Sequence, residues 1–452
     1  MTLLARSESG QTGSAGACQP RQTQGLKASV FALGLALSGA CQALDYGPFT
    51  LTGFAKAEAS RGSNHCIDCQ RFPEENKQRL WADELVPGQP YKTTNSSVTL
   101  FQPWLLAKFD LGQGFRLTGM ISQRLRDGRI DIPGFWYEKN VAVSHEDYGR
   151  VAFGAMTTRA WSLADYPYGT NIGLADVWGS SGAGYGLNTN AIRYTSRLFD
   201  VAAGDLSLEA TYDMGDRDFK VNKPRFIELF ARYKRDDLML DAIVQDTHNG
   251  NPQSWSHGPF TSIAYDPADD KKLGGASQGI AMLMARYQID SRFEAMAGVR
   301  VNRWSGANAV LTTPRSATQP YDSWNNMFNV DWGGVRNGVN NPGYSARSTD
   351  FSAGLRYKKG QWTAHTGLAY LGKATTANPS ERGQSNSALV NTAGLGYDFG
   401  RGLQGYLMTG MVHYGRLGLA PMSMPDNSAF TGVDSRVAKS GNWAGLGAVY
   451  VF

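Results

Sequence analysis

The chain has 452 residues, with 44 Lys and Arg against 39 Asp and Glu, and its formal charge of +5 is too small for the concentrated basic patches of a nucleic-acid-binding protein. Glycine reaches 53 residues and aromatic residues 11%, yet the mean hydropathy is −0.35. Beyond the N-terminal segment no uncharged apolar run approaches the roughly 18 residues of a membrane helix, so the chain could cross a bilayer only as a closed barrel.

The N-terminal segment, residues 1–43, is predicted to be an export signal with an N-terminal extension. An apolar stretch at 30–37 follows Lys27 and runs into small residues, which is typical of a cleavable signal peptide. The mature chain is therefore expected to begin at Leu44. A short buried helix and a lipoprotein signal at Cys41 are the alternatives.

Two cysteines follow in the first long loop, within His65-Cys66-Ile67-Asp68-Cys69. In an exported protein, Cys66 and Cys69 are expected to form a small disulfide. A metal site would need two more ligands and only His65 is close in sequence, while an active redox pair lacks the surrounding βαβ pattern. We therefore expect no metal and no cofactor.

Residues 44–452 show no domain-sized shift in composition and predict one unit of regularly spaced strands. The short joins are rich in Gly and Asp, as tight hairpins require, and lie at 111–114, 146–149, 198–205, 235–237, 290–291, 358–361 and 399–402. Eight longer joins alternate with them, at about 60–95, 125–135, 157–188, 213–225, 246–277, 305–348, 371–387 and 415–441. Fifteen joins connect sixteen strands and place both chain ends on the short-turn side.

Alternating polarity gives each strand two different faces. From Phe293 to Val301 the odd positions are apolar, whereas Glu294 and Arg300 fall on the opposite face. Aromatic residues near strand ends are expected to form interfacial girdles, and they are Tyr233, Tyr287, Trp362, Tyr370, Tyr397 and Tyr414. The pattern predicts an all-β protein, a transmembrane sixteen-stranded antiparallel β-barrel.

Several segments carry a family resemblance. Residues 108–117 (KFDLGQGFRL), 148–154 (YGRVAFG) and 190–196 (NAIRYTS) follow one another, and a loop of about thirty residues, 157–188, lies between the last two. In order and spacing they resemble the second hairpin, the fifth strand and the following strand of the general porins of Gram-negative bacteria, and the terminal Phe452 resembles the assembly signal of outer-membrane barrels.

The resemblance implies a homotrimeric, water-filled channel in the outer membrane of a Gram-negative bacterium. Its expected partners are outer-membrane lipid and lipopolysaccharide, together with ions and small hydrophilic solutes. The third external loop, 157–188, is expected to fold inward and constrict the channel, with Asp165, Asp176 and Arg159 at the constriction. This chain has Ala155 where the family often has Arg, so the constriction is expected to differ in detail.

Basic residues are assigned to the lumen by alternation, because a charge that faces lipid at mid-bilayer costs about 2–4 kcal/mol. The predicted pore-wall bases are Lys56, Lys108, Arg116, Arg124, Lys139, Arg193 and Arg300, with Arg126, Arg232, Arg286 and Arg356 in addition. The predicted inward acids are fewer, namely Glu58, Glu138, Glu228, Glu294 and Asp398. This unequal division predicts a mild preference for anions.

Two other functions remain open at this stage. A substrate-specific porin for sugars or organic acids would use an aromatic path, for which the third loop offers Trp161, Tyr166, Tyr168, Trp178 and Tyr185. An outer-membrane hydrolase is the other alternative, for which His365 lies at a lumen-facing position of strand thirteen and His248 and His257 lie in a long loop. No G-x-S-x-G or H-E-x-x-H motif accompanies the histidines, so the protein is predicted not to be an enzyme.

Overall fold

The structure is a computed structural model. It describes residues 43–63, 93–130, 136–162, 186–215, 225–248, 255–256, 277–305, 334–336, 339–341, 346–373, 375–376, 387–415 and 440–452. The predicted export signal, Cys66, Cys69, Asp165 and Asp176 lie outside these residues.

Sixteen strands form the wall of one antiparallel barrel. They are β1 (Phe49–Ser63), β2 (Thr93–Gly112), β3 (Phe115–Ser122), β4 (Lys139–His145), β5 (Gly149–Thr157), β6 (Gly186–Thr195), β7 (Gly204–Asp213), β8 (Arg225–Arg235), β9 (Leu238–His248), β10 (Ser277–Gln288), β11 (Phe293–Ser305), β12 (Ala346–Lys359), β13 (Trp362–Leu371), β14 (Ala388–Gly400), β15 (Leu403–Tyr414) and β16 (Ser440–Val451). Each strand pairs with the next in sequence, and β16 pairs with β1, which closes the barrel and confirms the predicted strand number.

Shorter strands lie before β1 and in the connections between the wall strands. Two-residue and three-residue strands occur at Leu44–Tyr46, Leu125–Arg126, Arg129–Ile130, Phe199–Val201, Trp255–Ser256, Gly334–Arg336, Val339–Asn341 and Thr375–Thr376. One short helix, α1 (Arg159–Ser162), follows β5. No helix in the described part of the chain is long and apolar enough to cross a membrane.

Tight turns close the hairpins at the predicted short joins. Between β2 and β3, Gly112, Gln113 and Gly114 all have positive φ, at 81°, 54° and 80°. Glycine tolerates this left-handed conformation because it has no Cβ. The Asp110 carboxylate accepts the Gly112 N–H at 2.8 Å, and Asp398 does the same for Gly400 in the turn between β14 and β15. The same local chemistry therefore fixes two of the seven hairpins.

The two ends of the chain meet where the barrel closes. Gly53 donates its N–H to the Phe452 carbonyl at 2.9 Å, and Phe452 donates back to Gly53 at 3.0 Å. The Phe452 ring stacks on Phe101 and Tyr450, with ring centroids 6.0 Å apart in each pair. Because β1 begins and β16 ends at the short-turn rim, both ends of the barrel lie on that side, as predicted.

The outer face is apolar and the inner face is mixed. On β11, Phe293 and Val299 face outward, whereas Met296, Arg300 and Asn302 face inward and are almost fully buried. Large apolar side chains such as Leu229, Val244, Leu283, Phe351, Leu407 and Leu446 are exposed around the outside. Five of the six predicted girdle aromatics face outward, but Tyr414 faces inward and is 4% exposed, because it shares the face of Val412 rather than that of Met411.

Candidate functional site

The first charged cluster lies on the inner wall of β5 to β8, where α1 begins. The carboxylate of Glu228 on β8 accepts the Arg159 N–H at 2.8 Å and the Ala160 N–H at 3.2 Å. Gln245 of β9 donates to the same carboxylate at 2.5 Å, and Glu228 is 1% exposed. Since only Thr158 separates Arg159 from the end of β5, the chain here crosses the inner side of β6 and β7 to reach β8.

Arginine side chains neutralise this cluster. Arg159 makes a two-pronged hydrogen bond to the Glu209 carboxylate, with Nε to Oε2 at 2.9 Å. Arg193 donates to Thr211 Oγ1 at 2.7 Å and to the Thr157 carbonyl at 2.8 Å, and it lies 3.6 Å from Glu209 and 3.7 Å from Glu228. Buried ions need such pairing, because an unpaired charge in a low-dielectric interior is costly.

Glu138 extends the same cluster toward β2. Its carboxylate accepts the Trp104 indole N–H at 3.1 Å and the Thr157 N–H at 3.1 Å. Arg150 also faces inward, one position after the start of β5, and forms no ion pair with a described residue. The start of the third loop is therefore held by Arg193, Glu209 and Glu228 on three strands, together with Glu138 just before β4.

A second set of ion pairs lines β8 to β12. Arg300 on β11 donates to Asp350 on β12 at 2.9 Å, and both side chains are almost completely buried. Arg232 makes a two-pronged contact to Asp241 at 2.7 Å and 3.0 Å. Glu294 accepts Arg286 at 2.8 Å and also pairs with Arg356. These inner bases therefore lie beside acids on neighbouring strands.

The wall from β13 to β16 is different, since its inner positions are mostly small or apolar. Three large side chains lie over glycines of the adjacent strand, where a Cβ would overlap them: Trp443 over Gly410, Tyr406 over Gly447 and His365 over Gly394. Tyr406 crosses Gly447 and donates to Glu58 on β1 at 2.6 Å, and Lys56 lies 3.7 Å from the same carboxylate. Glycine in a strand commonly marks such a close approach.

The predicted pore-wall bases are mostly on the inner face. Arg124 is 2% exposed, donates to Gln102 at 2.7 Å and lies 5.5 Å above the Tyr137 ring. Lys108 and Arg116 are exposed on the inner face near the short-turn rim. The remaining inward members are Lys56, Arg126, Arg193, Arg232, Arg286, Arg300 and Arg356.

Lys139 lies on the outer face, so its predicted place on the pore wall is wrong. It shares the outer face of β4 with Val141 and Val143, whereas Glu138, Asn140 and Ala142 point inward. The reason is its place at the loop end of the strand, where a lipid-facing charge costs only about 0–1 kcal/mol. The rule that charges face the lumen therefore has little force at this position.

The sequence interpretation also missed several inner acids. Asp398 and the four other predicted acids face inward, and the structure adds Glu209, Asp213, Asp241 and Asp350. The predicted excess of inner bases is correspondingly smaller. Alternation applied to acids as strictly as to bases would have found them, because Glu209 and Asp213 occupy the same face of β7 as Thr211.

The histidines do not form a catalytic arrangement among the described residues. His365 faces inward and is 4% exposed, opposite Arg356 and Gly394 in the sheet register. His145 lies outside the barrel against Phe115 and Tyr148, with ring centroids 4.6 Å apart in both pairs. No group of three His, Cys, Asp or Glu side chains in the described ranges is placed to hold a metal ion.

Comparison with known proteins supports the fold. No protein-family model matches the chain, and no curated protein matches its sequence. Solved structures do match. An anion-selective porin from Comamonas acidovorans has a TM-score of 0.55 and 12% identity, covering 89% of this chain and 99% of that one.

Two further solved structures are similar over nearly the whole chain. OmpF of Salmonella typhi, in complex with daunomycin, has a TM-score of 0.54 at 12% identity and covers 91% of this chain and 100% of its own. OmpT, an outer membrane protein of Vibrio cholerae, has a TM-score of 0.53 at 13% identity, with coverages of 91% and 100%. The chain thus has the fold of the sixteen-stranded porins.

Proposed function

We propose that this protein is an outer-membrane porin of a Gram-negative bacterium, through which ions and small hydrophilic solutes diffuse passively. The observation that carries the proposal is the closed sixteen-stranded wall with an apolar outside and an inside lined by ion pairs. In lipid every backbone polar group needs an internal partner, which a closed barrel provides. The charged inner side then requires water, and a water-filled path follows.

The constriction is part of the proposal. The contacts of Arg159 and Ala160 with Glu228 support an inward course for the third loop, and we propose that the loop continues inside the barrel with Asp165 and Asp176 near the narrowest point. Residues 1–43 would direct export and be removed, and Cys66 and Cys69 would form a disulfide in an external loop.

Planar-bilayer recording tests the channel and its selectivity. The purified protein is expected to produce stepwise conductance, and under a KCl gradient its reversal potential is expected to show a weak preference for chloride. The preference is weak because most inner bases lie beside acids. Absence of conductance steps would contradict the channel itself, whereas a preference for potassium would contradict only the proposed selectivity.

The inner bases without an ion pair to a described residue should contribute most to this preference. Lys108→Gln combined with Arg150→Gln is expected to move the reversal potential of the channel toward the equilibrium potential of potassium. The shift should be larger at 0.01 M than at 0.1 M salt, because the screening length falls from about 30 Å to about 10 Å. Arg235→Gln with Lys359→Gln removes two outward bases and should leave the potential unchanged.

We also propose that the protein is a homotrimer, as the family resemblance implies. The expected result is a mass of three chains, after subtraction of bound detergent, by light scattering of the protein purified in mild detergent. Exposed apolar side chains on the outer face supply a surface on which subunits can pack. A mass of one chain at all protein concentrations would contradict the trimer.

A further inference from the structure

Two arginine contacts with acids on the inner wall of β10 to β12 differ in their charge balance. Toward the loop ends, Arg300 pairs with Asp350 one to one, and the two side chains are 0% and 1% exposed. Nearer the short turns, Glu294 accepts hydrogen bonds from both Arg286 and Arg356. Here the side chains of Arg286, Glu294 and Arg356 are 29%, 14% and 19% exposed. The first contact is sealed and neutral, whereas the second is solvated and carries a net positive charge.

Lys358 adds a further base beside this contact. It lies two residues after Arg356 on β12, so both side chains are on the inner face of the strand. Lys358 is exposed and forms no ion pair with a described residue. The turn before β11 carries Asp290 and Arg292, one charge of each sign, and leaves the balance unchanged. We call four residues with a formal charge of +2 the inner basic patch, and they are Arg286, Glu294, Arg356 and Lys358.

The guanidinium groups of the patch keep most of their hydrogen-bond donors. An arginine has five N–H donors in a planar fork, which matches two oxygens of a phosphate or carboxylate group. Among contacts with described residues, Arg286 uses only Nη2, at 2.8 Å from Glu294 Oε2, and Arg356 also uses only Nη2. One carboxylate therefore orients both arginines and leaves their other donors to bind a solute.

The patch lies deep in the barrel, close to the short-turn mouth. Glu294 is the second residue of β11, and Arg300 lies six residues further along the same strand. At about 3.3 Å per residue and a strand tilt of roughly 40°, six residues rise about 15 Å. The patch therefore acts on a solute about 15 Å closer to the short turns than the sealed pair of Arg300 and Asp350.

We propose that the inner basic patch binds multivalent oxyanions of the phosphate type at the short-turn mouth of the channel. The attraction of a fixed charge grows with the charge of the ion, so a dianion or trianion gains more than chloride does. The low-dielectric wall focuses this field into the lumen. Exposed ion contacts are weak, which lets the solute leave again, as conduction requires. The inference rests on the proposed water-filled channel, through which solutes reach the patch.

Block of the chloride current by pyrophosphate tests the inference. Single-channel current of the purified protein would be recorded in about 0.1 M KCl, where the screening length is about 10 Å, with pyrophosphate added to either side. Arg286→Gln with Lys358→Gln leaves Glu294 paired with Arg356 and makes the patch neutral. This variant is expected to raise the half-blocking concentration about tenfold, which corresponds to about 1.4 kcal/mol.

Lys359 offers a matched control, because it follows Lys358 directly and faces outward with its register partner Trp362. Arg235→Gln with Lys359→Gln removes one Arg and one Lys from the outer face near the short turns and should leave the half-blocking concentration unchanged. Lys358→Gln alone is an exposed substitution near a strand end, and it keeps the test valid if the double variant does not fold. Its expected shift is about threefold, if the two contributions add.

Three results would overturn the inference. They are an equal half-blocking concentration in the native protein and in the variant with Arg286 and Lys358 replaced, equal block of the native channel by monovalent acetate, and a native current that pyrophosphate does not reduce. A channel that conducts chloride without block contradicts only the anion site. Absence of any conductance step contradicts the channel itself, and the site with it.

Discussion

Glu228→Ala is expected to destabilise the protein by about 3–5 kcal/mol, the cost of breaking a buried ionic network by removing one partner. The substitution removes the acceptor shared by the Arg159 and Ala160 N–H groups and by Gln245, and it leaves Arg193 near one acid fewer. Because these contacts fix the start of the third loop, the unitary conductance should change as well. The unfolding midpoint in denaturant, followed by tryptophan fluorescence, measures the loss.

Two further variants test this result, one with an intermediate expected effect and one as a surface control. Glu228→Gln keeps the shape and one acceptor oxygen but not the charge, so its effect should lie between those of the native protein and Glu228→Ala. Glu146→Ala removes an exposed carboxylate in a short turn, where surface substitutions usually change stability by less than about 0.5 kcal/mol. An unchanged midpoint and conductance in Glu228→Ala would show that Glu228 does not hold the loop.

Gly410→Ala is expected to narrow the channel. A Cβ at Gly410 would lie 2.0 Å from Cζ2 of Trp443, so the indole ring must leave its position against the wall. The backbone of β15 is held on both sides by the sheet, so the buried ring, which is 1% exposed, must shift away from the wall toward the inside of the barrel. Overpacking of this kind costs about 1–3 kcal/mol. Single-channel conductance should fall, and permeation of larger solutes should fall more.

Two matched variants test the direction of this effect. Gly405 lies on the same strand as Gly410 but on its outer face. Gly405→Ala places a Cβ 3.1 Å from the Phe399 ring of β14 and should leave conductance unchanged. Adding Trp443→Ala to Gly410→Ala should restore conductance, because the displaced ring is then absent. A normal conductance in Gly410→Ala, or no recovery in the double variant, would contradict this account.

The faces of most strands could be predicted from the sequence, because successive side chains of a strand point to opposite sides. The run from Phe293 to Val301 gave the correct outer face at every odd position. The two wrong predictions lie at strand ends. Lys139 at the start of β4 was predicted to face the lumen because of its charge, which costs little on either face there. Tyr414 at the end of β15 was predicted to be a girdle residue from its position alone, whereas alternation with Val412 places it inward.

The arrangement of the inner charges could not be predicted in the same way. Alternation placed Arg300 and Glu228 inward, but it carries no information on which residues of neighbouring strands share a height. Register decides that Arg300 lies beside Asp350, and a slip of one residue would move either side chain to the other face. The contact of Glu228 with Arg159 joins residues 69 positions apart and depends on the inward path of the chain after β5.

The sequence by itself determined the number of strands, the short-turn side and the closed barrel, because turn chemistry and two-residue periodicity are local properties. Only the tertiary structure decided which charges neutralise one another, where large side chains lie over glycines such as Gly410 and Gly447, and that Lys139 lies on the outer face of β4. These features arise between strands, from register and curvature, and the energy that selects them comes from contacts that no single segment contains.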